Sequence, residues 1–182
     1  SARGQGEPLS GRLSPPDGAR FVGVMMGAPS DLFLLSTDYG YGFVCSLEDM
    51  QSRNKAGKAV LSVPAGAKVL PPVRVRDIDA DWIAAATSEG HLLVTRLNEL
   101  PRMARGKGNK IINVPSAKLK IREEWVAAIT LVQDGEPLTV VAGKKFKTMK
   151  GPEVDEYAAE RGKRGKKLPR GFQKVDELKV EA

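Results

Sequence analysis

A short basic segment that contains glycine recurs four times along the chain. The four copies, called boxes below, begin at Arg3, Arg53, Arg105 and Arg161, which lie 50, 52 and 56 residues apart. The boxes are residues 3–6, 53–58, 105–110 and 161–167. A repeat of this length is typical of arrays of similar units, in which no unit can bury its apolar surface alone. We therefore expect a series of similar units that pack against their neighbours.

Short β-prone runs lie between the boxes, and turn residues bound each run. With 19 Gly and 12 Pro spread along the chain, the runs have the length and flanks of strands. The predicted strands are 20–26, 31–36, 41–46, 81–87, 90–95, 125–132, 138–142 and 144–149. Only residues 153–160 predict a helix, because Pro152 stands at its start and acidic residues follow in its first turn.

Each full repeat holds about four strands, and a sheet of that size cannot bury both of its faces alone. Stacked sheets of four strands, as in a β-propeller, satisfy this need. We therefore predict an all-β fold, a propeller-like disc in one domain spanning residues 1–182. The approximate blades are 14–63, 64–114 and 115–180, and residues 1–13 are the tail of an earlier blade. Because the chain does not begin with Met, we also expect it to be part of a longer polypeptide.

Positive charge is unevenly distributed along the sequence. The chain carries 29 Lys and Arg against 22 Asp and Glu, a formal net charge of +7. Between residues 144 and 170 ten cations stand against only four acidic residues. Such a concentration indicates an anionic partner, and a polyphosphate is the first candidate. For residues 144–147 the alternative is an edge strand that carries lysines only to prevent aggregation.

The boxes combine two properties that suit phosphate binding. Glycine lets the backbone turn tightly and approach another surface, while Arg and Lys supply charge, and Arg can donate two hydrogen bonds to one phosphate. One such box is usually a solvated turn, but four in register predict a regular series of cations along a curved duplex. The predicted DNA-binding residues are Arg3, Gln5, Arg53, Lys55, Lys58, Arg105, Lys107, Lys110, Lys144, Lys145, Lys147, Arg161, Lys163, Arg164, Lys166, Lys167 and Arg170.

Metal and nucleotide chemistry find little support in the sequence. The single Cys45 and the single His91 cannot form a disulfide or a Cys/His zinc site, and a reducing cytoplasm is the expected location. The acidic run at Asp77, Asp79 and Asp81 lacks the glycine and the distal glutamate of a calcium loop, which favours a polar hairpin. No phosphate-loop motif and no apolar run of membrane-spanning length occurs. We expect no metal, cofactor or membrane span.

Catalysis by the chain itself is not expected either. Tyr39, Tyr41 and Tyr157 could act as nucleophiles, but none lies beside a base or an acidic cluster in the sequence. Packing or turn roles are therefore the better interpretation of these tyrosines. A propeller-type hydrolase would need an acid, a base and a nucleophile together, and the sequence displays no such group. The predicted set of catalytic residues is empty.

The boxes resemble degenerate copies of the Gln-Arg-Arg-Gly-Gly-Lys-Gly motif of type IIA topoisomerase A subunits. Residues Ser1–Leu9, Gly40–Cys45, Arg53–Ala59 and Gly106–Asn113 closely resemble the C-terminal domain of the topoisomerase IV ParC protein, which is the DNA-cleaving chain of that enzyme. The resemblance covers nearly the whole chain and implies a β-pinwheel whose blades bind and bend double-stranded DNA on their outer rim. It also implies that ATP, magnesium and the cleavage site belong to the N-terminal region of ParC and to the ATPase chain of topoisomerase IV, outside this chain. A nucleoid-associated location is implied as well.

The sequence departs from the family motif in every box. No copy shows all seven residues, and Gln5 replaces a cation in the first box. This favours topoisomerase IV over a gyrase wrapping domain, with modest bending and the selection of supercoils or crossings for decatenation and relaxation. The alternative is a protein-interaction module that docks an SMC-type condensin or another acidic partner.

Overall fold

The computed structural model describes residues 17, 19–54 and 57–180. Three short α-helices lie within these residues, α1 (Leu47–Met50), α2 (Ser116–Lys120) and α3 (Gly151–Asp155), and a 3-10 helix covers Leu97–Glu99. The strands are β1 (Leu32–Ser36), β2 (Tyr41–Ser46), β3 (Val73–Arg74), β4 (Trp82–Thr87), β5 (His91–Arg96), β6 (Asn109–Lys110), β7 (Val126–Val132), β8 (Leu138–Ala142), β9 (Lys145–Met149), β10 (Lys166–Lys167) and β11 (Glu177–Lys179). The first box and Lys55, with Arg3 and Gln5 among the predicted site residues, lie outside the described residues, as does the predicted blade tail 1–13.

Three antiparallel hairpins form the centres of three sheets. The hairpins are β1–β2, β4–β5 and β8–β9, each built from two runs joined by a short turn. The sheets have the strand orders β3-β1-β2-β6, β10-β5-β4-β7 and β11-β8-β9. The predicted all-β, propeller-like fold is confirmed; the first two sheets have the expected four strands, and the third has three among the described residues.

Neighbouring sheets pack face to face, which explains why the central hairpin is apolar on both sides. Side chains alternate between the two faces of a strand. Along β4, Ile83 and Ala85 join a core with Leu34 of the first sheet, while Ala84 and Ala86 join a core with Val140 of the third sheet. The second sheet therefore lies between the other two.

Two of the sheets are completed by a strand that comes from the following repeat of the sequence. β6 follows the second hairpin in the chain but pairs with β2 of the first hairpin, and β10 follows the third hairpin but pairs with β5 of the second. A division of the chain near residue 63 or 114 therefore separates strands that belong to one sheet. The blades 14–63, 64–114 and 115–180 stay a prediction about sequence units. Each sheet is held to the next by this exchange as well as by apolar packing.

Two local predictions differ from the structure. The predicted strand at 20–26 is wrong: this segment pairs with no described strand, and Val24 and Met26 are 70% and 76% exposed. Apolar composition alone does not make a strand, because a strand also needs backbone pairing with a neighbour. The predicted helix is found, but α3 begins at Gly151 and ends at Asp155. The following residues leave the helix because Tyr157 and Ala159 exchange backbone hydrogen bonds with Val94 of β5. No helix among the described residues is long and apolar enough to cross a membrane.

Candidate nucleic-acid interface

The third and fourth boxes fold in the same way. In each, a glycine with a positive φ of 80° precedes a two-residue strand, Gly108 before β6 and Gly165 before β10. A Cβ atom on Gly108 would lie 2.0 Å from the carbonyl oxygen of Gly42, and one on Gly165 would lie 2.6 Å from that of Leu92. The box glycine is therefore required both for its backbone conformation and for its close approach to the hairpin.

Hydrogen bonds after the two strands fix which residues correspond. The backbone N–H of Ile111 donates to Gly40, and that of Leu168 donates to Gly90, at 2.7 and 2.8 Å. Gly108 therefore corresponds to Gly165, and the residues just before them, Lys107 and Arg164, also correspond. The starting arginines do not, because the fourth box has one more residue before its glycine.

Successive boxes are joined by hydrogen bonds. The Nη1 atom of Arg161 donates to the carbonyl of Lys110 at 2.7 Å, and the N–H of Gly162 donates to Ile111. In the same manner the N–H of Gly106 donates to Val60, just after the second box, at 2.8 Å. The described parts of the second, third and fourth boxes thus form one series connected by hydrogen bonds, which we call the box row.

Most of the predicted cations are exposed along the box row or beside it. The exposed ones are Arg53, Lys58, Arg105, Lys107, Lys144, Lys145, Lys163, Lys166, Lys167 and Arg170. Some ammonium groups also contact the protein: Lys58 donates to the carbonyl of Asp49 at 2.6 Å, and Lys167 donates to that of Glu89 at 2.7 Å. These lysines remain solvent-accessible, so a phosphate can approach the same ammonium groups.

Lys110, Lys147 and Arg161 are half-buried. Lys110 donates to Asn113 Oδ1 at 3.1 Å, and Lys147 lies 3.6 Å from Glu153. Their contacts within the protein hold these side chains against the surface. They are therefore less available to a ligand than the exposed cations named above.

Lys107 lies over an aromatic ring of the first sheet. Its Nζ atom is 4.3 Å from the centre of the Tyr41 ring, and Nζ of Lys110 is 5.9 Å from the same centre. The ring attracts the ammonium groups through its electron-rich face while leaving Lys107 exposed. Tyr41 thus holds two box cations close together at the surface.

Arg164 lies in a different environment, although it occupies the corresponding position. Its Nη1 and Nη2 atoms donate to Oε1 and Oε2 of Glu124 at 2.8 and 2.5 Å, and Nη1 also lies 3.3 Å from the carbonyl of Asn113. The side chain of Glu124 is 0% exposed and that of Arg164 is 28% exposed. The guanidinium group therefore points inward, in contrast to the ammonium group of Lys107.

Glu124 is the centre of a charged cluster that the sequence did not indicate. His91 Nδ1 lies 3.3 Å from Oε1 without the alignment of a hydrogen bond, and Lys118 Nζ lies 3.9 Å from Oε2. Burial alone raises the pKa of Glu124, but hydrogen bonds and positive charge from Arg164 outweigh it and keep this pKa below its usual range. In the sequence, nothing distinguishes Glu124 from its exposed neighbour Glu123.

The third sheet has no box strand beside its hairpin. β6 lies along β2 and β10 lies along β5, but no described residue pairs with the corresponding edge of β9. Instead this edge carries Lys145 and Lys147, with Lys144 in the preceding turn, and Phe146 is 72% exposed. The third sheet thus supplies cations from its own hairpin.

The acidic run and the remaining tyrosines have structural contacts. Asp81 is buried and accepts hydrogen bonds from the N–H of Arg76 at 2.8 Å and from Nε2 of Gln133 at 2.9 Å, inside a turn. Tyr157 is buried, and this burial raises the pKa of its hydroxyl. Among residues 17, 19–54 and 57–180, no group of three or more His, Cys, Asp and Glu is arranged to hold a metal ion.

Comparison with known proteins identifies the relatives of this fold. No family model matches the sequence. The A subunit of DNA topoisomerase 4 from Pseudomonas aeruginosa is 50% identical over 181 residues, and that from Escherichia coli K12 is 40% identical over 182 residues. The structure of the E. coli ParC C-terminal domain matches with a TM-score of 0.88 at 39% identity, over 100% of this chain and 73% of that one. The chain belongs to the family of topoisomerase IV ParC C-terminal domains.

A more distant solved structure shares only the fold. A DNA gyrase A C-terminal domain matches with a TM-score of 0.75 at 14% identity, over 97% of this chain and 58% of that one. The β-pinwheel predicted from the resemblance is thereby confirmed. The chain spans about a quarter of the length of the curated topoisomerase proteins, 24% in both relatives named above.

Proposed function

We propose that the chain is a non-catalytic module that binds and bends double-stranded DNA for topoisomerase IV. The observation that carries this proposal is the box row, in which hydrogen bonds join successive boxes and exposed lysines accompany each one. Duplex DNA presents phosphates at short, regular intervals, so a connected series of cations can follow its backbone. Because phosphate contacts carry no direct sequence information, we expect little sequence preference.

Bending follows from the arrangement of the boxes on successive sheets. Each box strand lies at the outer edge of a different sheet, and the sheets of a propeller-like disc are rotated relative to one another. A duplex that contacts several boxes must curve to follow them. The degenerate boxes favour modest bending, by which the domain helps the enzyme to select supercoils or crossings. A wrapping domain of the gyrase type remains a less favoured interpretation.

The remaining parts of the enzyme complete the proposal. The N-terminal region of ParC and the ATPase chain of topoisomerase IV supply DNA cleavage and the use of ATP and magnesium, and this domain acts as their accessory. In the cell, it is located on the nucleoid in the cytoplasm. Family membership supports these assignments.

DNA binding measured against salt concentration tests the proposal. If roughly six to ten phosphates are neutralised, the slope of log affinity against log salt is about −0.9 for each contact, or about −5 to −9 in total. A short duplex carrying two fluorophores reports bending in the same titration. Affinity that does not change with salt would exclude phosphate binding as the basis of function.

A protein-interaction role is the second candidate, and the open edge of β9 favours it. An unpaired strand edge can accept an extended segment from another protein, and Lys145 and Lys147 favour an acidic one. The partner proposed from the sequence is an SMC-type condensin. If duplex DNA and this partner compete for binding, they share a surface. If both bind at the same time, they use different surfaces.

A further inference from the structure

The cationic side chain just before the glycine points in opposite directions in the third and fourth boxes. Lys107 is exposed over Tyr41, whereas Arg164 is directed inward to Glu124. Since the strands that follow are equivalent, the difference comes from what lies beneath each box. This difference bears on the proposed DNA binding, on which the inference rests.

Glu124 offers Arg164 a complete set of acceptors. Both carboxylate oxygens accept from the guanidinium group, and a third contact runs to the carbonyl of Asn113. A carboxylate with no exposed surface needs such partners, because an unpaired buried charge is strongly unfavourable. A phosphate that withdrew Arg164 would leave Glu124 without its closest partner. Arg164 is therefore not free to join the phosphate contacts.

The ion pair connects three segments of the chain. Glu124 stands just before β7, Asn113 follows the third box, and Arg164 stands just before β10. The N–H of Asn113 also donates to the carbonyl of Lys163 at 2.9 Å. These contacts fix the backbone on both sides of Arg164, and the neighbouring lysines of the fourth box are exposed.

We propose that Glu124 is a positioning residue for DNA binding. It withdraws Arg164 from the phosphate contacts and fixes the fourth box, so that Lys163, Lys166 and Lys167 face the duplex. A buried acid thus strengthens the binding of a polyanion, which is the reverse of what its charge alone would do.

The sign of one substitution separates this role from simple electrostatics. Glu124→Gln removes a negative charge, so Coulomb attraction alone predicts tighter DNA binding. Loss of positioning instead predicts binding that is weaker by roughly 5- to 30-fold. The matched control is Glu123→Gln, which makes the same chemical change one residue earlier on an exposed side chain. We expect the control to bind DNA with unchanged or slightly higher affinity.

A double-mutant cycle tests whether the two residues act as one unit. Arg164→Met should weaken binding about as much as Glu124→Gln, and the double variant should be no weaker than either single variant. If Arg164 is itself a phosphate contact, the outcome differs in three ways. Glu124→Gln then binds equally or more tightly, Arg164→Met reduces the salt slope by about 0.9, and the two effects are independent. This outcome would overturn the inference.

Two controls separate a loss of positioning from a loss of folding. One is a further variant, Arg164→Lys, and the other is the thermal unfolding of every variant. Arg164→Lys keeps the positive charge but cannot donate bidentate hydrogen bonds to Glu124, so it should weaken DNA binding if Arg164 positions the box. If it leaves affinity and salt slope unchanged, Arg164 acts as a simple cation and the inference fails. The native chain is measured first. An absence of salt-dependent binding there refutes the proposed function, whereas tight native binding with still tighter binding by Glu124→Gln refutes only this inference.

Discussion

Arg161 donates from Nη1 to the carbonyl of Lys110 at 2.7 Å and so joins the fourth box to the end of the third. The arginine that begins one box thereby holds the last residue of the box before it. A side chain used in this way contributes to the spacing of the boxes as well as to their charge. The geometry of the box row therefore depends on contacts between boxes.

The box glycines should differ in how much stability they confer. Gly108→Ala should lower the free energy of unfolding by about 2 to 4 kcal/mol, because the positive φ costs about 1 to 2 kcal/mol and the Cβ also collides with Gly42. Gly57 has a similar φ of 86° but open space around its Cβ position. Gly57→Ala should therefore cost only about 1 to 2 kcal/mol. Urea unfolding of both variants measures the difference, and equal losses would contradict it.

Reversing the charge of one box lysine should weaken DNA binding far more than the same change elsewhere. Lys166→Glu, in β10, should reduce affinity about tenfold or more and lower the salt slope by about 0.9 or more, because one phosphate contact is lost and a repulsion is added. Lys179→Glu is the control, since β11 lies at the opposite edge of its sheet from β9. Fluorescence anisotropy at several salt concentrations measures both. Equal losses would show that only net charge matters.

Lys107 should make a phosphate contact of its own. Lys107→Met should reduce the slope of log affinity against log salt by about 0.9, because the exposed ammonium group over Tyr41 is removed. Lys120→Met is a useful comparison, since Lys120 is exposed at the end of α2 and lies outside the boxes. The salt slope of this comparison variant should stay close to that of the native chain. A slope unaffected by Lys107→Met would remove this residue from the interface.

Stability should fall on mild acidification because of His91. Burial, and next the positive charge of Arg164, lower the pKa of His91 below its ordinary 6.5. The folded chain therefore binds fewer protons than the unfolded chain just below pH 6.5, and stability is lost as pH falls through this window. His91→Gln should remove this part of the pH dependence. Thermal unfolding between about pH 7.5 and 5.5 measures it.

The pKa of Glu124 is lowered in the folded chain, so its contribution to stability changes only at a more acidic pH than that of His91. The ionised carboxylate stabilises the fold above the ordinary pKa of about 4.5, and this stability is lost as pH falls through the lower pKa of the folded state. Glu124 therefore adds nothing to the change in stability between about pH 7.5 and 5.5. If His91→Gln shows the same dependence on pH as the native chain over that interval, another group is responsible.

Local pattern was sufficient to predict the strands of the three hairpins. The runs that became β1, β2, β4, β5 and β8 alternate or are apolar throughout, and turn residues bound them, so adjacent segments pair without help from distant ones. The run at 20–26 has a similar composition, but it pairs with no described strand and is not a strand. A strand therefore needs a pairing partner as well as a suitable pattern, and the local sequence does not reveal that partner.

For the candidate site, the sequence located the exposed cations but not their partners inside the protein. The repeated boxes identified the exposed cations of residues 105–110 and 161–167, because their charge and glycines can be recognised in the sequence. Arg164 belongs to the same pattern, yet it is paired with Glu124, 40 residues away. Charge alone cannot tell an arginine at the surface from one that neutralises a buried acid.

The sequence by itself determined the all-β class, the strands of the three hairpins, the recurrence of the boxes and the family to which they point. These features depend on periodicity and turn chemistry over a few residues. Only the tertiary structure decided that β6 and β10 complete the sheets of earlier hairpins, that Arg161 and Lys110 join two boxes, and that Glu124 is buried. Each of these depends on which distant segments share an edge or a core, and this choice is made by the packing of the whole disc.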